Sequence, residues 1–355
     1  MSLWVHKYMP KSLDTLDYHD GLSKSLKSLA ASGEFPHMLM YGPSGAGKKT
    51  RVMAVLRELY GPGVSKIKID GRVFQTNSKK VEFNIVSSVH HLEITPSDMG
   101  NNDRVVIQDL LKEIAQTQQV DLSSKQRFKV VVINEADSLT RDAQSALRRT
   151  MEKYSPNLRL ILLATSTSNI IGPIKSRTLL VRVAAPTNQE IANVLSKVAK
   201  KEKVDLPSSP DDLQYLWDKI ARQSQRNLRK SLLILEAMYA QNDKITRDTP
   251  VPPADWELVI SKLADDTIKK RSVAQLLQIR GTLYELLTHC IPAPVILKSL
   301  TFSLLKKVSP EVGADIIEAA GFYDHRLRQG SKAIFHLEAY VARVMNLLET
   351  FDMTH

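Results

Sequence analysis

A single cysteine, Cys290, stands in a chain of 355 residues, which excludes an internal disulfide and any zinc site built on cysteines. Its place in the apolar run Leu286 to Leu297 makes it an expected core residue. No stretch approaches the roughly 18 consecutive apolar residues of a membrane span, and the opening Met1-Ser2-Leu3-Trp4-Val5-His6-Lys7 has no signal-peptide core. A soluble protein of the cytosol or nucleus, with no membrane partner, is therefore expected. His90-His91 has no third metal ligand at useful spacing, so both histidines are expected on the surface and no metal site is expected. With 43% hydrophobic and 25% charged residues, the chain can bury substantial cores, and its length fits two or three domains.

The net charge is +11, and it is unevenly placed. Residues 251 to 355 carry twelve Lys or Arg and twelve Asp or Glu, so the whole excess lies in residues 1 to 250. That imbalance points to a polyanion partner for the first part and protein contacts for the last. Simple solubilisation by Lys and Arg is the other reading.

The stretch that organises the chain is Met38 to Leu59. An apolar strand, Met38-Leu39-Met40-Tyr41, leads into Gly42-Pro43-Ser44-Gly45-Ala46-Gly47-Lys48-Lys49-Thr50 and then a helix with Val52, Met53, Val55, Leu56 and Leu59 on one side. Strand, glycine-rich turn and helix in that order make a phosphate cradle, with backbone N–H groups converging on one point and Lys48 adding charge. The residue after the loop lysine is normally Ser or Thr, whose hydroxyl holds Mg²⁺. Here it is Lys49, and Thr50 lies about 100° further round the helix. A nucleotide held without a good magnesium site is the expectation.

Further on, Phe128 to Ile133 reads as a buried parallel strand ending in Asn134-Glu135-Ala136-Asp137. Facing a P-loop, this is a Walker B element with its first, metal-holding carboxylate replaced by Asn134; Glu135 remains. Between the two motifs, Gly61-Pro62-Gly63 breaks the chain, and Lys66 to Asp70, Lys79 to Ile85 and His91 to Thr95 read as short strands. The spacing predicts a helix over Asp103 to Gln116, with Arg104, Gln108 and Lys112 in a polar stripe that suits either a phosphate backbone or solvent. Arg159 to Ala164 and Thr178 to Val183 are two more strands. The alternation implies a doubly wound, mainly parallel α/β sheet. Thr187 and Glu190 form a capping box opening a helical region to about residue 241, Thr249-Pro250-Val251-Pro252-Pro253 is a linker, and helical patterns run to the C-terminus. At the N-terminus, Trp4 to Pro10 fits either a purine contact or an anchor on the core.

These pieces together resemble the small subunits of the eukaryotic sliding-clamp loader, replication factor C, over the full length. The matching residues are Trp4-Val5-x-Lys7-Tyr8-x-Pro10, the P-loop, Asn134-Glu135-Ala136-Asp137, Leu147-Arg148-Arg149-Thr150-Met151-Glu152, Pro173-Ile174-Lys175-Ser176-Arg177, Asn227-Leu228-Arg229 and Gly330-Ser331-Lys332. Lys48-Lys49-Thr50 and Asn134 further resemble the one small subunit whose nucleotide site is degenerate. The resemblance implies an AAA+ core over 1–186, a helical lid over 187–250 and an all-α collar over 251–355 that joins four other subunits in a ring.

It also implies bound ADP or ATP, with Mg²⁺ weak or absent, and the sliding clamp and primer–template DNA as partners in nuclear replication and repair. Val5, Tyr8, Pro10, Asp17 and Tyr18 would lie near the adenine. The loop from Gly42 to Thr50, with Asn134, Thr165 and the lid's Arg229, would hold the phosphates. Arg177, which the residues alone leave as a surface arginine paired with a nearby acid, would be a finger completing a neighbour's site. Arg104, Gln108, Lys112 and Lys175 would meet DNA phosphates, and Gln116 to Leu122 is a candidate clamp contact. Met9, Thr165 and Thr178 depart from the family's usual arginine, asparagine and cysteine; the first two weaken catalysis here, while the third leaves Arg177 intact. An autonomous DNA-dependent P-loop ATPase, and a scaffold with a relic P-loop, are the alternative readings.

Overall fold

The computed structural model describes residues 2–75, 80–116, 128–242, 244–330 and 332–354. The chain divides into two compact units, Met1–Val251 and Pro252–His355, and the division falls inside the proline-rich stretch, where backbone N–H groups are missing.

The first unit starts with helices α1 (Trp4–Lys7) and α2 (Asp20–Ala31), then β1 (Met38–Tyr41) and α3 (Lys48–Tyr60). Strands β2 (Lys68–Gln75), β3 (Lys80–Ser87) and β4 (His91–Ile94) follow, then α4 (Asp103–Gln116), β5 (Lys129–Ile133), α5 (Arg141–Lys153), β6 (Leu158–Ala164), α6 (Gly172–Lys175) and β7 (Leu179–Arg182). Among the described residues these strands form one sheet in the order β2-β3-β4-β5-β6-β1-β7. From β4 through β7 every pairing is parallel, while β2, β3 and β4 pair antiparallel. The central strands β5 and β6 are mostly apolar because helices cover both faces: Val131, Leu160 and Leu162 pack under α4 and α5, whereas Val130, Val132 and Ile161 pack under α2 and α3. Each such side chain taken fully out of water contributes about 1.5–3 kcal/mol.

Two sequence expectations shift here. The first strand after the P-loop helix starts at Lys68 and runs to Gln75, paired as a hairpin with β3. His91 is fully buried and not on the surface. It heads β4 directly beside Val130 of β5, and its Nδ1 lies 2.6 Å from Ser88 Oγ. His90 is half-buried and stacked on Tyr60, with ring centroids 4.9 Å apart.

Three helices complete the unit: α7 (Asn188–Glu202), α8 (Pro210–Gln223) and α9 (Leu228–Gln241). The capping box opens α7, with Thr187 N donating to Glu190 Oε2 at 2.7 Å and Glu190 N to Thr187 Oγ1 at 3.2 Å. Their core, Ile191, Leu195, Trp217, Ile220 and Leu235, also takes in Trp4. So α1 belongs to this small helical body.

The second unit is helical: α10 (Asp255–Lys269), α11 (Val273–Thr288), α12 (Ala293–Leu305), α13 (Pro310–Gln329) and α14 (Ala333–Thr354). Leu263, Leu283, Leu300, Ile316 and Val344 make its core, with Tyr340 OH 2.8 Å from Thr301 Oγ1 inside it. Cys290 is not in that core. It is exposed, in the turn after α11, at φ 60°, where the chain reverses and carries the side chain outward. No helix among the described residues is long and apolar enough to cross a membrane.

Candidate nucleotide-binding site

The parallel strands end together at one edge of the sheet, and the P-loop leaves β1 at that edge between β6 and β7. Asn134 after β5 and Thr165 after β6 arrive beside it. The result is a cleft of about 700 Å³. Ser44, Gly45, Gly47, Lys48, Lys49 and Thr50 line it from the loop, and Asn134, Glu135 and Thr165 from the sheet. Gly42, Pro43 and Ala46, also expected to hold the phosphates, are not among the residues that line it.

Gly45 and Gly47 are required by close approach as well as by conformation. A Cβ on Gly45, at φ 73°, would stand 1.8 Å from Asn227 Oδ1, and one on Gly47, at φ 82°, would stand 2.5 Å from the Tyr18 hydroxyl. Asn227 caps α9, accepting from Lys230 N at 3.1 Å, so the lid's last helix starts directly on the loop. Lys48 Nζ folds over the loop, donating to the carbonyls of Gly42 and Pro43, the latter at 2.9 Å. Burial pulls the Lys48 ammonium below its ordinary pKa, and Asp137 opposes the shift.

Where a magnesium site is normally built, this chain has a different cluster. Lys49 Nζ forms an ion pair with Glu93 Oε1. The same oxygen accepts from Asn134 Nδ2 at 2.8 Å, and Asn134 also reaches Thr95 Oγ1 at 3.2 Å. An ammonium seated on the only carboxylate of this cluster, with an amide in place of the second, does not fit a divalent cation: it repels the ion and occupies its oxygen. Glu135 stands just outside, at φ 49°, accepting from Ser97 Oγ at 3.1 Å. Thr165 is tied to Asp137 Oδ2 through its N–H at 2.9 Å and through its hydroxyl.

The side of the cleft away from the loop comes from the N-terminal segment and the lid. Val5, Tyr8, Pro10, Asp17 and Tyr18 all line it, as does Arg229 from the first turn of α9. Trp4 N donates to Glu236 Oε2 at 3.1 Å, and Tyr8 OH to Glu202 Oε1 at 2.6 Å. Lys7 reaches the same carboxylate oxygen at 2.6 Å. Those two donors hold Glu202 below the usual carboxylate range, Lys7 contributing most. Asp17 pairs with Lys197 of α7. Tyr18 is buried, its hydroxyl donating to Ala46 O at 2.9 Å.

The remaining predicted residues lie away from the cleft. Arg177 follows α6 on the surface, where Nη2 pairs with Glu152 at 2.7 Å and Nη1 donates to Pro173 O at 2.9 Å. Arg104 and Lys112 are exposed and Gln108 half-buried on the outer face of α4, while Val106, Ile107, Leu110 and Leu111 fill the core beneath. Lys175 Nζ stays near Thr167 O at 3.5 Å. Of the stretch Gln116 to Leu122, residues 117–122 lie outside the described residues. The residues that sequence reasoning missed are Glu93, Asp137, Glu202 and Arg51. All are partners placed by the fold: Glu93, Glu202 and Arg51 sit at no motif position, and Asp137, although within the Asn134-Glu135-Ala136-Asp137 motif, has no role read from the sequence.

Family models match most of the chain. Residues 256–352 match "Replication factor C subunit 3, C-terminal domain", residues 193–240 an AAA+ ATPase lid domain of the RCF1/5-like type, and residues 18–187 "DNA polymerase III, delta subunit". A variant of RuvB from Thermotoga maritima superimposes with a TM-score of 0.50 at 15% identity, over 78% of this chain and 85% of that one, a likeness of fold. The fold is thus an AAA+ P-loop core with a mainly parallel sheet, a helical lid and an all-helical C-terminal domain. Replication factor C subunit 5 of Neurospora crassa is 63% identical over 355 residues, 100% of this chain and 99% of the relative. Subunit 5 of Saccharomyces cerevisiae is 52% identical, covering 98% of this chain and 100% of the relative, and human subunit 3 is 50% identical, covering 99% and 97%. With such identity sustained over both chains from end to end, the chain belongs to the replication factor C family of clamp-loader subunits.

Proposed function

We propose that the chain holds ADP or ATP in a pocket that hydrolyses it little or not at all, and that it supplies Arg177 to the site of a neighbouring subunit. In this reading it joins four other subunits in a ring that opens the sliding clamp and loads it on primer–template DNA in the nucleus, for replication and repair. Residues 1–186 are the nucleotide core, 187–250 the lid and 251–355 the collar. Arg104, Gln108, Lys112 and Lys175 meet DNA phosphates.

The observation that carries this is the Lys49–Glu93–Asn134 cluster. Hydrolysis in P-loop enzymes needs a divalent cation bridging the last two phosphates. Lys49 brings a positive charge to that place, but a point charge on a flexible stem does not polarise a phosphoryl oxygen as a metal does. The cradle keeps what binding requires: convergent N–H groups, Lys48, and Arg229 facing it from the lid. Arg177 rests on Glu152 at the surface, and exposed pairs of this kind contribute only about 0–1 kcal/mol, so a neighbour's phosphates readily displace the carboxylate.

The test is ADP affinity of the purified full chain in EDTA and in Mg²⁺, alongside its ATP turnover. Similar affinities and negligible turnover are expected. Binding that vanishes in EDTA, with robust turnover in Mg²⁺, refutes the proposal and favours an autonomous ATPase.

A further inference from the structure

Arg51, the fourth residue of α3, is 0% exposed. Its guanidinium lies directly behind the phosphate cradle: Nη2 donates to Tyr18 O at 2.8 Å, Nη1 is 3.5 Å from Ala46 O, and the group sits 4.5 Å from the centre of the Tyr18 ring. A Cβ on Gly47 would be 3.1 Å from Nη1, so only the thickness of the loop separates this charge from the cradle. Nε is buried without a partner. Among the described residues no carboxylate pairs with Arg51. His19, whose Nδ1 is 3.5 Å away, is neutral or cationic in either protonation state, so it brings no compensating negative charge.

A guanidinium does not deprotonate in proteins, and burying one without an anion is strongly unfavourable. Carbonyl oxygens and a ring face offset part of that penalty. The rest is offset when an anion occupies the cradle on the other side of Gly47. Lys49 is engaged by Glu93, while Lys48, resting on loop carbonyls, and Arg229 line the open side of the cleft, so Arg51 is the cation set behind the loop.

We infer that Arg51 is a positioning residue whose buried charge holds the nucleotide phosphates from behind the P-loop, where a metal ion is not available to do so. Ala46 O takes the Tyr18 hydroxyl and faces Arg51 Nη1, so the same group ties the Tyr18 side of the cleft to the loop. The inference rests on the metal-independent binding proposed above.

The experiment compares Arg51→Met and Arg51→Lys with the unaltered full chain, stripped of nucleotide, by ADP titration calorimetry in EDTA and by thermal melting. Arg51→Met is expected to bind ADP at least about tenfold more weakly, which is about 1.4 kcal/mol, while its nucleotide-free form melts no lower than wild type. Arg51→Lys, which keeps the charge, is expected to retain most of the affinity. Unchanged affinity in Arg51→Met overturns the inference. So does a Met variant that fails to fold or melts lower when nucleotide-free, since the guanidinium is then a structural brace, and so does a Lys variant as weak as Met. Should the unaltered chain bind ADP only with Mg²⁺, the metal-independent reading fails by itself, and the three chains compared in Mg²⁺ then judge Arg51: a Met variant equal to wild type overturns its role.

Discussion

Installing the hydroxyl and carboxylate with which P-loop sites normally hold a metal is the most informative perturbation of the pocket. Lys49→Thr with Asn134→Asp places a hydroxyl and a carboxylate beside Glu93. Asn134 Nδ2 stands 2.8 Å from Glu93 Oε1, so an Asp oxygen in its place faces a second anion at hydrogen-bond distance with no Lys49 to neutralise the pair. Two unit charges at that separation repel by up to about 6 kcal/mol at an effective dielectric of about 20. The Lys49 side chain is 52% exposed, so water reaches the site, and screening with side-chain relaxation reduces the repulsion to about 2 kcal/mol. The double variant without metal should therefore melt about 4–8 °C below its Mg²⁺-bound form. Wild type, with the ammonium already seated on Glu93, should show no such dependence. Thermal unfolding by circular dichroism in EDTA and in saturating Mg²⁺ reads both. Equal Mg²⁺ sensitivity in the two proteins, or none in the double variant, would show that the Lys49 cluster is not at the metal position.

Two other outcomes follow from the same structure. His37 is buried, with Nδ1 accepting from Leu160 N at 3.0 Å; burial, with Arg159 adding and the Met151 backbone opposing, holds its pKa down to about 4 against an ordinary 6.5. The unfolded chain thus takes up a proton that folded His37 refuses, so its contribution is complete above pH 6.5 and falls toward pH 4, by about 3 kcal/mol at most. His37→Asn, which keeps an acceptor near the Nδ1 position, should flatten that part of the stability–pH curve; identical curves in denaturant titrations would count against it. Arg104→Ala with Lys112→Ala should weaken DNA binding alike for all sequences and reduce the salt slope by up to about one unit for each true phosphate contact, whereas an unchanged slope in the assembled complex makes the α4 stripe a solvated face.

What could be read in advance follows from how locally each feature is encoded. The central strands β5 and β6 announce themselves because a parallel strand buried on both faces is a nearly continuous apolar run, and β5 from Lys129 to Ile133 is such a run. Helix α4 has the bounds its apolar spacing predicts, and α7 starts at its capping box. The P-loop was legible because strand, glycines and lysine are contiguous. Glu93 was not, since it lies 44 residues from Lys49 in a strand whose alternation looks ordinary, and only the sheet brings them together. Arg51 reads as one more polar residue of an amphipathic helix; the Tyr18 turn that covers it comes from a segment 33 residues away. The anchoring of Trp4 on Glu236 spans 232 residues, beyond any local pattern. Cys290 misled because apolar neighbours on both sides say nothing of a left-handed residue ending a helix between them.

If this subunit's chemistry acts outside its own pocket, as proposed, the clamp- and DNA-stimulated ATP turnover of the assembled complex is where it shows. An arginine finger contributes ~10³-fold or more at the site it completes. A complex carrying Arg177→Ala should therefore lose turnover while this chain still assembles and keeps its own nucleotide, and one carrying Lys48→Ala should turn over ATP near the wild-type rate. The opposite pattern, with Lys48→Ala abolishing turnover and Arg177→Ala silent, would make the pocket an active ATPase and contradict the account.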